Sequence, residues 1–183
     1  MIRVKVGVMT LTLFVAGSLS ACGGKVANPG PGPGQAQAAS PTPPTEPVAL
    51  PDKGFKAAIT LVDLPAKLRT GQKETIRVKI KNDSPVMWWA RGAQVNTRSD
   101  NKFYLATGDR WLKPDGALLT NMDGRYGLGK DLAPGAETEV PLVITAPKEP
   151  GEYTLEVDLI QEQVAWFSDK GSPTAKAKIT VVK

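Results

Sequence analysis

An apolar/polar alternation with a period of two recurs along the chain and confines most of it to strands. Ile76, Val78 and Ile80 alternate with Arg77, Lys79 and Lys81, and Val140, Leu142 and Ile144 with Glu139, Val143 and Thr145. Tyr153, Leu155, Val157 and Leu159 alternate with Thr154, Glu156 and Asp158, and Ala177, Ile179 and Val181 with Lys176, Lys178 and Thr180. Phe55, Ala57, Ile59 and Leu61 make a fifth such face. Successive strand side chains point to opposite sides of a sheet, so each segment offers one face to a core and the other to water. Breakers at Pro85, Gly92, Pro114, Gly116, Gly124, Pro134-Gly135, Pro147, Pro150-Gly151 and Pro173 punctuate these runs, and no long run has helical periodicity. Short half-buried strands with such punctuation predict an all-β, two-sheet sandwich. Two further strands are expected between Val86 and Leu119, for about seven in all, and Thr120 to Lys130 reads as a loop because Asp123-Gly124 and Gly127 interrupt it.

The strands begin only after two unlike segments. Arg3 and Lys5 precede an apolar run from Val6 to Ala16, which closes on Leu19-Ser20-Ala21-Cys22. That run is shorter than the roughly 20 residues needed to cross a bilayer, so residues 1–21 read as a signal segment. Leu-Ser-Ala-Cys is similar to the bacterial lipobox, and this resemblance implies lipid attachment at Cys22. Acyl chains contribute about 0.8 kcal/mol per buried methylene, and two or more hold a protein stably at a membrane. Gly23 lacks the aspartate that the lipoprotein family associates with inner-membrane retention, which implies the outer membrane if the host has two. Residues 22–51 then hold the anchor site and a tether, with Asn28-Pro-Gly-Pro-Gly-Pro-Gly34 and Pro41-Thr-Pro-Pro-Thr-Glu-Pro47. Such a stretch has little to bury and favours extended geometry.

Residues 52–183 remain for a single domain of ordinary size. The full chain has a formal net charge of +5, and Arg3 and Lys5 leave with the signal segment. Without a long basic block, this balance makes no case for nucleic acid. With Cys22 acylated, the exported domain has no thiol and hence neither a disulfide nor a cysteine nucleophile.

A family resemblance emerges in the second half of the chain. Asp131-Leu-Ala-Pro-Gly135, Val140-x-Leu-x-Ile144, Thr145-Ala-Pro147, Pro150-Gly-Glu-Tyr153 and Leu155-x-x-Asp-Leu159 resemble the immunoglobulin-like family that includes the four-tryptophan (FW) domain. The closing Glu162-Gln-Val-Ala-Trp-Phe167 is similar to a bacterial form of that module. The resemblance implies an immunoglobulin-like sandwich, with Tyr153 inward and either Trp88 or Trp89 in the core position.

The chain carries little that suggests catalysis. It has no histidine, which removes the commonest general base and the usual metal ligand. Glu156 and Asp158 share an outward strand face and read as a solubilising surface. Asp109, Asp115, Asp123 and Asp131 lie near glycines but match no calcium-loop spacing, so they read as turn residues. No enzyme and no cofactor is expected. Binding has a foothold in Trp88-Trp89 and Trp166-Phe167, because strand geometry sends one ring of each pair inward and the other outward. Trp88, Trp89 and Trp166 are the candidate contacts. The leading expectation is a membrane-anchored, non-enzymatic envelope lipoprotein that presents a protein-interaction module. The alternative is a carbohydrate- or peptidoglycan-associated module.

Overall fold

The computed structural model describes residues 46–90 and 101–183, without the side chains of 121–124. The chain divides into two units, Met1–Ser40 and Pro41–Lys183, and every described residue belongs to the second. The signal segment, Cys22 and the tether as far as residue 45 lie outside the described residues, as does part of the region where two extra strands were expected.

The domain is an immunoglobulin-like sandwich of two sheets. The smaller contains β1 (Ala57–Val62), β3 (Lys73–Asn82) and β6 (Glu137–Thr145), in the order β1-β3-β6. The larger contains β2 (Lys67–Arg69), β9 (Ala175–Val182), β7 (Gly151–Gln161), β4 (Leu105–Leu112) and β5 (Leu118–Gly127), in the order β2-β9-β7-β4-β5, with the short β8 (Ala165–Trp166) on β7. Only β2 and β9 pair in parallel among the described strands.

Register follows the apolar pattern. Ile76 lies opposite Leu142, Val78 opposite Val140 and Ile80 opposite Ile59. A slip of one residue would carry every one of these side chains to the solvent face. Ile76, Val78, Ile80, Leu142 and Ile144 meet Leu155, Val157 and Leu159 of the other sheet in one core, all fully buried. On the outer face of the smaller sheet, Arg77 pairs with Asp63 and Glu139, and Lys79 with Glu137. These pairs are exposed and contribute little individually. Pro141 is tolerated in β6 because that strand is an edge.

Asn82, at the end of β3, organises the turns at one end of the sandwich. Its amide donates to the carbonyls of Val86 (2.8 Å) and Leu132 (2.9 Å), while its Oδ1 accepts from the Ser84 amide and hydroxyl. Gly135, at φ 77°, donates its N–H to the Asn82 carbonyl at 2.7 Å, a left-handed conformation that glycine adopts without steric cost.

Two expectations need correction. Thr120 to Lys130 is a loop only in its last three residues, since β5 occupies Leu118–Gly127. Its glycines and irregular register against β4 hide the alternation. Leu50, placed with the tether, is buried in the core and donates its N–H to Gln161 Oε1 at 2.9 Å. Gln161 also donates to the Val48 carbonyl at 2.8 Å, so packing begins before residue 52.

Candidate functional site

The outward face of β7 carries Glu156, Asp158 and Ile160. All three are buried, with Asp158 at 1 % exposure. The register explains why a solvent face is covered. β4 sets Arg110 opposite Glu156, Gly108 opposite Asp158 and Ala106 opposite Ile160, while β9 sets Lys176 opposite Glu156 on the other side. The segment after β8 runs back along β7, where Phe167 donates its N–H to the Leu159 carbonyl at 2.8 Å and Ser168 donates its hydroxyl to Asp158 at 2.6 Å. Glu156 and Asp158 are therefore not the solubilising surface that alternation alone suggested.

Their environments differ. Arg110 reaches Glu156 through Nε and Asp158 through Nη2, each at 3.2 Å. Burial is the strongest influence on Glu156 and pushes its pKa up, but hydrogen bonds from Thr174 and Lys176, with the Arg110 and Lys176 charges, outweigh it and hold the carboxyl below the usual value. Burial also dominates at Asp158, where the hydrogen bonds from Ser168 and Leu159 and the Arg110 charge do not offset it, so this carboxyl lies above the usual value.

Trp166 packs on Ala106 and Ile160, a small apolar cluster on this outer face. The Arg110 and Arg125 guanidinium carbons each lie 5.6 Å from its ring centre, within reach of a cation–π attraction. Arg125, on β5, bonds Glu162 through Nη1. Beside them lies a groove of about 510 Å³ lined by Arg125, Ile160, Glu162, Gln163, Val164 and Trp166, with Ala165 and Asp169. Trp166 is half-buried and Glu162 is 4 % exposed. Arg125 Nε and Glu162 Oε1 are buried without a hydrogen-bond partner. A partly exposed ring that lines a concave groove of mixed polar and apolar character is suited to a ligand with an apolar face and polar edges.

The other nominated aromatics have different positions. Trp88 is fully buried: its indole donates to the Gly54 carbonyl, and its ring meets Phe167 edge-to-face at 5.2 Å. Phe167 in turn meets Phe55 at 5.1 Å. Trp88 thus takes the core position and is withdrawn as a surface contact. Trp89 is half-buried, its carbonyl accepting from the Leu105 N–H, and it lines none of the three grooves described here. A second groove, of about 480 Å³, has a mostly apolar surface, with Leu119, Ala146, Pro147 and Tyr153 beside Lys148 and Glu149. A third, of about 370 Å³, lies by Phe55, Lys56 and Lys170. Neither is lined by an unpartnered buried polar side chain among the described residues.

The aspartates near glycines are in part turn residues. Asp115 accepts from the Ala117 N–H at 2.9 Å, whereas Asp131 reaches across to the Ala90 N–H at 2.7 Å. The side chain of Asp123 lies outside the described residues. No group of three metal-ligating side chains forms among the described residues. Arg110 and Arg125 were missed as site residues because strand pairing across β5, β4 and β7 is what brings them to Trp166, whereas Glu162 lies just after β7, four positions before it.

No protein-family model matches the chain, and no curated protein matches it, so the resemblance drawn from Asp131 onward rests on its residues alone. Among solved structures, the CARDB domain of a Pyrococcus furiosus protein, in complex with di-metal ions, is similar at 13% identity and a TM-score of 0.40, covering 69% of this chain and 86% of that one. The sporulation control protein Spo0M of Bacillus subtilis is similar at 14% identity and a TM-score of 0.40, with 70% of this chain and 50% of that one covered. A Listeria innocua β-glucosidase, in complex with glucose, has the same identity and TM-score, but only 16% of its length is covered. At these values the matches say nothing of what this chain binds.

Proposed function

We propose that the domain is a non-enzymatic module that binds envelope glycan at the Trp166 groove and is held at the membrane surface by lipidated Cys22 through the Pro/Gly tether. One observation carries the binding reading: the partly exposed Trp166 ring lines a groove that the Arg125–Glu162 ion pair also lines. The C–H face of a pyranose is apolar and stacks on an aromatic face, while its hydroxyls seek donors and acceptors at the edge. The anchor rests on Leu19-Ser20-Ala21-Cys22 and the short apolar run before it.

A protein partner is less well supported. The reading rests instead on the aromatic ring and the mixed polar and apolar lining of the Trp166 groove. Peptidoglycan, a polymer of pyranose rings with polar edges, is the probe. The native protein should co-sediment with purified insoluble peptidoglycan, and Trp166→Ala should stay in the supernatant while keeping its circular dichroism spectrum. Co-sedimentation unchanged by Trp166→Ala would remove this reading.

A further inference from the structure

We infer that the open edge of β1 is a self-association site, at which a second copy of this chain adds its own β1 antiparallel about a two-fold axis. The site is separate from the Trp166 groove, because β1 belongs to the smaller sheet and β8, which carries Trp166, to the larger. Four strands end the two sheets: β1, β6, β2 and β5. Sheet edges are normally guarded by charge, proline, shortness or irregularity. β6 carries Glu137, Glu139 and Pro141, β2 is three residues long with Lys67 and Arg69, and β5 contains Arg125 and pairs in an irregular register. β1, Ala-Ala-Ile-Thr-Leu-Val, has neither a charge nor a proline. Its Ile59 and Leu61 pack on the core yet stay only partly buried.

Two hydrogen bonds fix which backbone groups face the open side. The Asp83 N–H donates to the Lys56 carbonyl, so Lys56 faces β3, and the Ala57 N–H points the other way, where it donates to the Ser172 hydroxyl at 3.1 Å. Backbone direction alternates along an antiparallel strand. The N–H and C=O of Ile59 and Leu61 therefore share the open side with Ala57, and nothing among the described residues bonds them. Ser172 closes this window at one end, and Asp63, at φ 54°, turns the chain out of it at the other.

One antiparallel register fills the window. Ile59 lies against the second copy's Leu61 and exchanges both hydrogen bonds with it, Leu61 does the same with the second copy's Ile59, and the two Thr60 residues face each other on the axis. Ile59 and Leu61 then cover one another on the core side, and the exposed Thr60 pair sits with Cα atoms about 4.5 Å apart on the outer side. A shift toward Ala57 meets a donor that Ser172 already holds, and a shift the other way meets the turn at Asp63. Lys56 precedes the window and Asp63 follows it, so antiparallel copies bring opposite charges together at both ends. A patch that complements itself in this way is what a two-fold dimer requires.

Sedimentation velocity of the full chain carrying Cys22→Ser, which has neither lipid nor thiol, tests the site across the micromolar-to-millimolar range expected of so small an interface. Monomer should give way to dimer as concentration rises. Thr60→Lys and Thr60→Glu each set like charges opposite one another on the axis and should weaken the dimer at least about tenfold, with circular dichroism unchanged. An equimolar mixture of the two variants should restore it, since lysine then faces glutamate. A chain that stays monomeric throughout, a dimer that neither variant weakens, or a mixture that fails to recover would overturn the inference. Sedimentation with peptidoglycan is a separate measurement and is unaffected by any of these results.

Discussion

The indole N–H of Trp88 donates to the backbone carbonyl of Gly54 across 34 residues, at 2.9 Å. That bond fixes the segment before β1 to the chain after β3, and the same ring closes on Phe167. Trp88→Ala should therefore cost about 3–5 kcal/mol of stability, the range for an aromatic-to-alanine change in a packed core. Equilibrium unfolding in urea checks the value. A loss under about 1 kcal/mol would show that Trp88 is not the core residue described here.

The neighbouring carboxylates on β7 should respond to acid in opposite directions. Glu156 is held below the ordinary 4.5, so its contribution to stability is present above that value and is lost as pH falls through its folded pKa. Asp158 is raised above the ordinary 3.8, so its contribution is present below that value and is lost as pH rises through its folded pKa. Glu156→Gln should therefore lose stability less steeply than the native protein as pH falls through the window just below 4.5, and Asp158→Asn more steeply in the window just above 3.8. Unfolding free energies at a series of pH values, with side-chain carboxyl chemical shifts, decide it. Parallel slopes for both variants would contradict the two environments.

Much of the sandwich was legible in the chain because one physical rule applies where a strand has a dry side and a wet side. Ile76, Val78 and Ile80 alternate cleanly against charged neighbours, and all three are fully buried. The rule failed where both faces of a strand are covered: Glu156 and Asp158 look like a solvent face until Arg110, Lys176 and Ser168 close over them. β5 was hidden for a different reason, since its support comes from pairing with β4 and not from its own side-chain pattern. For the candidate site, Trp166 was visible as one of two adjacent aromatic residues, of which strand geometry sends one outward. Arg110 and Arg125 lie 56 and 41 positions away in the chain and come together only through the order β5-β4-β7. Which member of the Trp88-Trp89 pair turns inward was equally undetermined, because adjacent strand residues are equivalent until the register is known.

Anchoring is checked independently of binding. Native protein expressed in a bacterial host with lipoprotein processing should partition into detergent, whereas Cys22→Ser should yield a soluble exported form or stall before signal removal. Equal aqueous partitioning of both forms after signal cleavage would exclude lipidation at Cys22. The Trp166 groove would be unaffected by that result.

The glycan reading is tested most directly at the indole groups. The chain has four tryptophans, at 88, 89, 111 and 166, and their indole N–H signals can be assigned by replacing each in turn with phenylalanine. During titration with soluble peptidoglycan fragments, the Trp166 signal should move progressively to saturation. The signals of Trp88 and Trp111, both buried in the core, should stay in place. A Trp166 signal that does not move at saturating fragment, or binding whose shifts fall on Trp89 alone, would contradict a glycan site at this groove.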